Sequence, residues 1–154
     1  MDVNFAASGP ADENILIALM REFYAVEHLA FDEAVTRVAL RQMLRDDALG
    51  AVYSIRSGED VAGYVVLTFG FSLEFHGRDA LVDELYLREE FRGKGLGRAV
   101  LEFVEGVCRA EGIKAVHLEV DRVNTRAQEV YRAAGYRDHD RYLLTKWVDV
   151  DSRE

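Results

Sequence analysis

The stretch Arg92-Gly93-Lys94-Gly95-Leu96-Gly97-Arg98 has the composition of an anion-binding loop. Glycine stands at every second position, and glycine permits backbone angles and a close ligand approach that other residues resist. Consecutive amide N–H groups in such a turn, backed by the positive end of a following helix, bind anions. Lys94 and the two flanking arginines add positive charge. We therefore expect the loop to hold a phosphate group.

The glycine spacing excludes two common phosphate loops. A Walker A loop needs Gly-Lys followed by Ser or Thr, but Lys94 is followed by Gly95. A dinucleotide fingerprint needs the spacing G-x-G-x-x-G, whereas Gly93, Gly95 and Gly97 alternate with other residues. A turn without a ligand is the remaining alternative, and three glycines would weaken such a turn without benefit.

Two adjacent carboxylates, Asp83 and Glu84, precede the loop on a predicted strand and are candidates for a general base. Alternation along a regular strand sends them to opposite faces, so that Glu84 shares a face with Tyr86 and Asp83 with Leu85. A β-bulge would exchange these faces. Glu84 is our first choice for the base and Asp83 the second, with a structural bridge to an arginine as the alternative for either.

The elements that position these residues follow from hydrophobic periodicity and turn residues. Two amphipathic helices come first, the second capped by Asp32 and expected to bury Val35, Val38, Ala39 and Leu40. Then come a hairpin over 51–71, a strand over 80–87, a helix over 96–110, a strand over 115–120, a helix from about Asn124 and an edge strand over 141–147.

The strands on either side of the helix over 96–110 form a βαβ unit. Strands joined in this way are parallel neighbours in the same sheet. The complete pattern predicts an α+β fold with a mixed central β-sheet flanked by helices. We expect residues 1–154 to form a single domain, because the chain is too short for two domains of ordinary size.

Arg92, Gly95 and Gly97 follow the pattern Q/R-x-x-G-x-G/A, and the loop thereby resembles the acetyl-CoA signature of the GNAT N-acetyltransferase superfamily. Further matches to that family lie downstream, at Asn124, Ala127, Tyr131, Gly135 and Tyr136. The resemblance covers roughly residues 61 to 147 and implies a GNAT-like fold with a βαβ acetyl-CoA-binding core. Acetyl-CoA is then the cosubstrate, and no metal is implied.

The resemblance also implies roles for individual residues. The backbone of Leu85, Tyr86 and Leu87 would pair with the pantetheine arm, and one of these amides would polarise the thioester carbonyl. The amides from Gly93 through Leu96 to Arg98 would hold the diphosphate, with Asn124 also on the cofactor side. Tyr131 would protonate the departing thiolate. The strands that hold Leu85 and Leu118 must splay apart to admit the cofactor, which members of the family achieve with a bulge.

The expected reaction is direct transfer of the acetyl group to a primary amine within a ternary complex. Such an amine is only about one part in a thousand free base at pH 7, so the reaction needs a base. Two alternatives stay open: a non-catalytic acyl-CoA-binding regulatory module, and a protein or peptide N-acetyltransferase. The presence of Glu84, Asn124 and Tyr131 argues against the first of these.

A net charge of −9 argues against nucleic acid as a partner and favours a small cationic amine as the acceptor. No apolar run approaches the roughly 18 residues that a membrane span needs. The single cysteine, Cys108, cannot form an intrachain disulfide and suits a reducing cytoplasm. The histidines lack the spacing of metal ligands. Relatives in the resembled family commonly dimerise, so a homodimer is compatible with this reading.

Overall fold

The computed structural model describes residues 2–148, in which a short first strand is followed by two helices, three strands and a final helix–strand–helix segment. In chain order they are β1 (Val3–Ala7), α1 (Glu13–Val26), α2 (Glu33–Arg45), β2 (Gly50–Ser57), β3 (Asp60–Ser72), β4 (Gly77–Leu87), α3 (Leu96–Ala110), β5 (Ala115–Leu118) and α4 (Thr125–Ala133). The predicted α+β class with a mixed sheet is confirmed.

The sheet has the strand order β1-β2-β3-β4-β5. The first four strands pair antiparallel, and β4 pairs with β5 in parallel. The predicted βαβ unit is therefore present, with α3 as its crossover helix and Gly112, at φ 72°, just beyond the helix end. Since parallel neighbours bring their carboxyl ends to one edge, the loop before α3 and the end of β5 lie at the same end of the sheet.

Each face of the sheet carries its own hydrophobic cluster. One cluster lies against α3 and includes Val65, Val82, Val100 and Val104. The other lies against α1 and α2, where its buried members include Leu16, Leu19, Leu40, Tyr64 and Tyr86. Glu22 on α1 adds a polar tie to β4, because it accepts hydrogen bonds from Arg88 and from the hydroxyl of Tyr86.

A β-bulge interrupts β4 within the region of the paired carboxylates. Val66 pairs with Glu84, but the next residue of β3, Leu67, pairs with Val82, so Asp83 is an extra residue without a partner on β3. The bulge shifts the alternation of side chains. Val82 and Leu85, three residues apart, consequently contact the same cluster against α3. The expected bulge is confirmed, and the faces assigned from regular alternation are wrong for Asp83.

Two further expectations differ from the structure. In α2, Leu40 is buried, but Val35 and Val38 are 62% and 59% exposed, and Ala39 is also exposed. The inward face of α2 instead includes Arg37, whose guanidinium contacts Glu13 of α1. Periodicity predicted the helix correctly but misplaced its buried face, because a salt-bridged arginine occupies a position that an apolar residue was expected to fill.

The predicted edge strand over 141–147 is wrong. Within residues 2–148 the chain after α4 forms no regular element, and its large apolar side chains are exposed: Tyr142 84%, Leu143 74%, Leu144 88% and Trp147 88%. Alternation indicates a strand with one apolar face but does not supply a neighbouring strand to pair with it. Conversely, β1 was not predicted, because its five residues form a short run at the start of the given sequence with a turn signal, Ser8-Gly9-Pro10, on one side only.

Among residues 2–148, the helices are all too short or too polar to cross a lipid bilayer.

Candidate active site

The glycine loop forms the entry to α3, and two of its glycines have backbone angles that disfavour other residues. Gly93 has φ 74° and Gly95 φ 83°, and Gly95 is the N-cap residue of α3. Gly97 lies in the first turn of the helix with an ordinary φ, and a Cβ added there would meet no atom within 4 Å. The backbone of this loop is therefore open to an approaching ligand.

The amide groups from Gly93 to Arg98 form no hydrogen bonds with other groups in the described part of the chain. Three of them are the first amides of α3, which have no carbonyl partner within a helix. Arg92 braces the loop by donating from Nε to the Leu87 carbonyl at 2.8 Å. Lys94 is exposed, and Arg98 lies 3.5 Å from Glu102 on the helix surface. Consecutive free amides at a helix N-terminus, with cations nearby, fit a diphosphate.

A cleft opens between β4 and β5 beside this loop. The pairing of the two strands ends at Val82 and Leu118, so within residues 2–148 the residues Leu85 to Leu87 have no paired strand on that side. A cavity of about 350 Å³ occupies the space between the diverging strands. Its lining comes from α1, β4, the segment after β5 and α4: Phe23, Glu27, residues 81–85, residues 118–121, Asn124 and Tyr131.

Glu84 lies in the cavity wall with both carboxylate oxygens occupied. Tyr24 donates its hydroxyl to Oε2 at 2.5 Å, and Tyr64 donates to Oε1 at 2.7 Å. Burial raises the pKa of Glu84, and the two hydroxyl donors oppose that rise. The alternative of a bridge to an arginine is absent for Glu84 in the described residues. The two hydroxyl groups thus fix the orientation of the carboxylate, while its pKa stays above the ordinary value of a glutamate.

Asp83, the bulge residue, reaches the same cavity from the position next to Glu84. Its side chain forms no hydrogen bond or ion pair with residues 2–148, and it is exposed at the cavity mouth. The surrounding protein still removes enough solvent to raise its pKa. The bulge therefore brings both candidate carboxylates to one cavity instead of sending them to opposite faces.

Tyr131 and Asn124 come from α4 and its cap, as their spacing predicted. The Asn124 side chain accepts a hydrogen bond from the Ala127 amide at 3.2 Å and so begins the helix. Tyr131 is partly buried in the cavity wall, and its ring contacts Tyr136 edge-on. Burial, with a smaller contribution from the charge of Glu27, raises the pKa of Tyr131. Its hydroxyl consequently keeps its proton at neutral pH.

The cavity carries an excess of negative charge. Its five carboxylates belong to Glu27, Asp83, Glu84, Glu119 and Asp121. None of the five takes part in an ion pair within residues 2–148, whereas the half-buried Glu13 and Glu22 are each paired with an arginine. A cationic ligand would relieve the repulsion among them.

Tyr64, Asp121 and the hydroxyl of Tyr24 belong to the site but were not predicted from the sequence. Tyr24 carried one available signal, because it lies three residues before Glu27 and so shares a face of α1 with it. His117, in contrast, lies away from the cavity, where it contacts Asp79 at 3.0 Å and packs against Phe75. Cys108 is buried on α3, and burial raises the pKa of its thiol.

Comparison with known proteins gives consistent results. The model of the Acetyltransferase (GNAT) family matches residues 14–136. The chain is 32% identical over 81 residues to thialysine N-epsilon-acetyltransferase of Bos taurus, a match that covers 53% of this chain and 47% of the bovine protein. It is 25% identical over 139 residues to the L-methionine sulfoximine/L-methionine sulfone acetyltransferase of Pseudomonas aeruginosa, covering 88% of this chain and 81% of that one.

The fold is also similar to that of solved structures. An integron cassette protein from the mobile metagenome of the Cole Harbour salt marsh superposes with a TM-score of 0.83 at 32% identity, covering 94% of this chain and 90% of that one. The matched stretch spans only about half the length of the bovine relative.

Proposed function

Because the chain belongs to the acetyltransferase (GNAT) family, we propose that it transfers the acetyl group of acetyl-CoA to a primary amine of a small cationic molecule, by direct attack in a ternary complex. One observation carries the proposal. A path of unpaired backbone runs from the free amides of the Gly93–Arg98 loop, along β4, into a cavity lined by five carboxylates and Tyr131. The free amides suit the phosphates, the unpaired edge of β4 suits the pantetheine arm, and the carboxylates suit the amine.

The cosubstrate fits the loop and the exposed edge of β4. The amides of Gly93 to Arg98 would bind the diphosphate, and Lys94 would add charge. The backbone of Leu85 to Leu87 would pair with the amide groups of the pantetheine arm, as an added strand does. An amide of this segment would then point at the thioester carbonyl and stabilise the charge that develops on its oxygen.

The carboxylates would attract the ammonium form of the acceptor and remove its proton. We propose Glu84 as the base, acting directly or through water, and Asp83 as the neighbouring group that orients the ammonium. The free amine then attacks the carbonyl carbon, and the bond to sulfur breaks. Tyr131, whose hydroxyl has no partner in the described residues and keeps its proton, would protonate the departing thiolate, and the excess proton of the acylated nitrogen would then restore the Tyr131 hydroxyl.

An amine panel with thiol release as the readout tests the proposal. The panel comprises cadaverine, thialysine, methionine sulfone and a peptide with a free N-terminus. We expect turnover to fall in that order, because the cavity carboxylates attract a second ammonium and repel an α-carboxylate. Acetyl-CoA binding without thiol release from any amine would favour the non-catalytic module instead, and turnover of the peptide alone would favour a peptide acetyltransferase.

We also propose that the chain forms a homodimer and acts in the cytoplasm. Support for the dimer comes from the exposed apolar side chains between Tyr142 and Trp147, which exceed what a monomer normally leaves in water over so short a stretch. The buried free thiol of Cys108 is compatible with a reducing compartment. Analytical ultracentrifugation of the full chain and of a Leu144→Asp variant tests the dimer.

A further inference from the structure

The carboxylate of Glu84 is held by hydroxyl groups from two different elements. Tyr64, on β3, is fully buried and packs among Phe23 and Tyr86. Tyr24, on the last turns of α1, is only partly buried and packs edge-on against Phe23 and Phe31. Its neighbours on that helix, Phe23 and Glu27, line the cavity. Tyr24 thus connects the acceptor side of the cavity to Glu84.

The remaining groups around Glu84 do not favour its charge. They are Asp83 on β4, Glu27 on α1, Glu119 and Asp121 after β5, and Tyr131 on α4. Burial disfavours the ionised form of Glu84, and the charge of the neighbouring Asp83 disfavours it further. Among the described residues lining the cavity there is no lysine or arginine. The hydroxyls of Tyr24 and Tyr64 are therefore the groups that stabilise an ionised Glu84.

Resting on the proposed function, we propose that Tyr24 is a positioning residue, which holds Oε2 of Glu84 so that the carboxylate stays ionised and keeps a fixed orientation in the cavity. A hydrogen bond to the charged form of an acid lowers its pKa, so the loss of one donor should raise the pKa of Glu84. Tyr24 is the better choice for a test than Tyr64, because Tyr64 also fills the core.

The test compares Tyr24→Phe with wild type in kcat/KM for the best amine of the panel between pH 6 and 9.5. We expect the acidic limb of the profile to move to higher pH by about one unit, with activity within about twofold of wild type at pH 9.5. Tyr142→Phe, an equally conservative change at an exposed residue that does not line the cavity, should leave the limb in place. In the Glu84→Gln background, adding Tyr24→Phe should lower kcat/KM by less than about twofold, because the group that Tyr24 positions is already absent.

A structural role for Tyr24 predicts a different result, namely a loss of activity that is constant with pH, or a lowered Tm with the limb unmoved. Either result overturns the proposal. A second readout does not depend on turnover: the ¹³C resonance of the Glu84 side-chain carboxyl, assigned by its loss in Glu84→Gln, should titrate at higher pH in Tyr24→Phe. An unchanged titration midpoint would overturn the positioning role of Tyr24, whether or not any amine is acetylated. A lack of turnover with every amine would count against the proposed function and not against the positioning role.

Discussion

Val82 and Leu118 are the last residues that β4 and β5 pair, and beyond them the two strands separate around the cavity. On the β3 side, β4 stays paired to its end at Leu87. One edge of the strand is therefore anchored while the other presents unpaired backbone. Pairing with β3 holds the backbone of Leu85 to Leu87 in place. A ligand that pairs with the other side of these residues therefore does not lose free energy in ordering the strand when it binds.

Gly97→Asp should weaken CoA binding at least 100-fold in a protein that stays folded. A Cβ added at Gly97 meets no atom within 4 Å, so the backbone there accepts a side chain, but the carboxylate would occupy the place of a phosphate. Calorimetry measures the affinity. Gly106→Asp, a change at an exposed site of the same helix that is equally open, is the matched control and should bind CoA normally. If folded Gly97→Asp binds CoA with normal affinity, the loop is not the site of the diphosphate.

Tyr131→Phe should lower kcat by 10²–10⁴, the usual contribution of a general acid, while the affinity for acetyl-CoA stays nearly unchanged. Only the hydroxyl is lost, and the ring still packs against Tyr136. Steady-state kinetics and calorimetry give the two quantities, with Tyr136→Phe as the control on the neighbouring ring. A kcat within about threefold of wild type would leave Tyr131 with a packing role.

Glu84→Gln should lower kcat/KM at pH 7 by at least tenfold, and the deficit should narrow as the pH rises. A base matters most when the amine arrives protonated, and near the pKa of the amine the free base is abundant. Parallel profiles for Glu84→Gln and Asp83→Asn between pH 6.5 and 9.5 distinguish the two carboxylates. A raised KM with an unchanged kcat in Glu84→Gln would indicate that Glu84 binds the acceptor instead. A pH-dependent loss of activity in Asp83→Asn alone would show that Asp83 is the base.

Glu22→Gln should lower the free energy of unfolding at pH 7 by about 1 kcal/mol or less, since the pair with Arg88 is partly exposed to solvent. The hydrogen bond from Arg88 lowers the pKa of Glu22 below its ordinary value of 4.5. The stabilisation is therefore present above pH 4.5 and is lost as the pH falls through the lowered pKa.

Urea midpoints of wild type and Glu22→Gln at pH 7 and at pH 3.5 measure this dependence. The difference between the two proteins should shrink at the lower pH. Glu105→Gln, which removes an exposed pair with Arg109 within α3, should have a smaller effect at both values. A constant difference for Glu22→Gln at both pH values would show that packing, not charge, accounts for the loss.

Local signals in the sequence predicted the loop and α3 well. The helix begins at Leu96 and ends at Ala110, as expected, because alternating glycines precede it and Gly112 follows it. The predicted cap Asp32 is confirmed, because it accepts a hydrogen bond from the Val35 amide. The last helix, expected from about Asn124, begins at Thr125 with Asn124 as its cap. Such features depend on a few neighbouring residues, and a sequence displays them directly.

Features that depend on distant residues were not predictable in the same way. The bulge position is set by the register of β4 against β3, so alternation within β4 alone could not place Asp83. The hydroxyl of Tyr24 reaches Glu84 across 60 residues of sequence, and no local pattern joins them. The exposed segment over 141–147 shows the converse case, a strand-like pattern for which residues 2–148 supply no partner.

The bulge at Asp83 also determines which changes in chain length β4 can tolerate. Removal of Asp83 would make Val82 and Glu84 consecutive, as their partners Leu67 and Val66 on β3 already are. The pairing with β3 and the faces of the side chains from Glu84 to Leu87 would then be kept. Removal of Leu85 instead would shift the register by one residue and turn Tyr86 from its own cluster towards the cluster against α3. Position 83 should therefore accept a deletion that position 85 does not, and a deep deletion scan of β4 would display this as a maximum in folded yield at position 83.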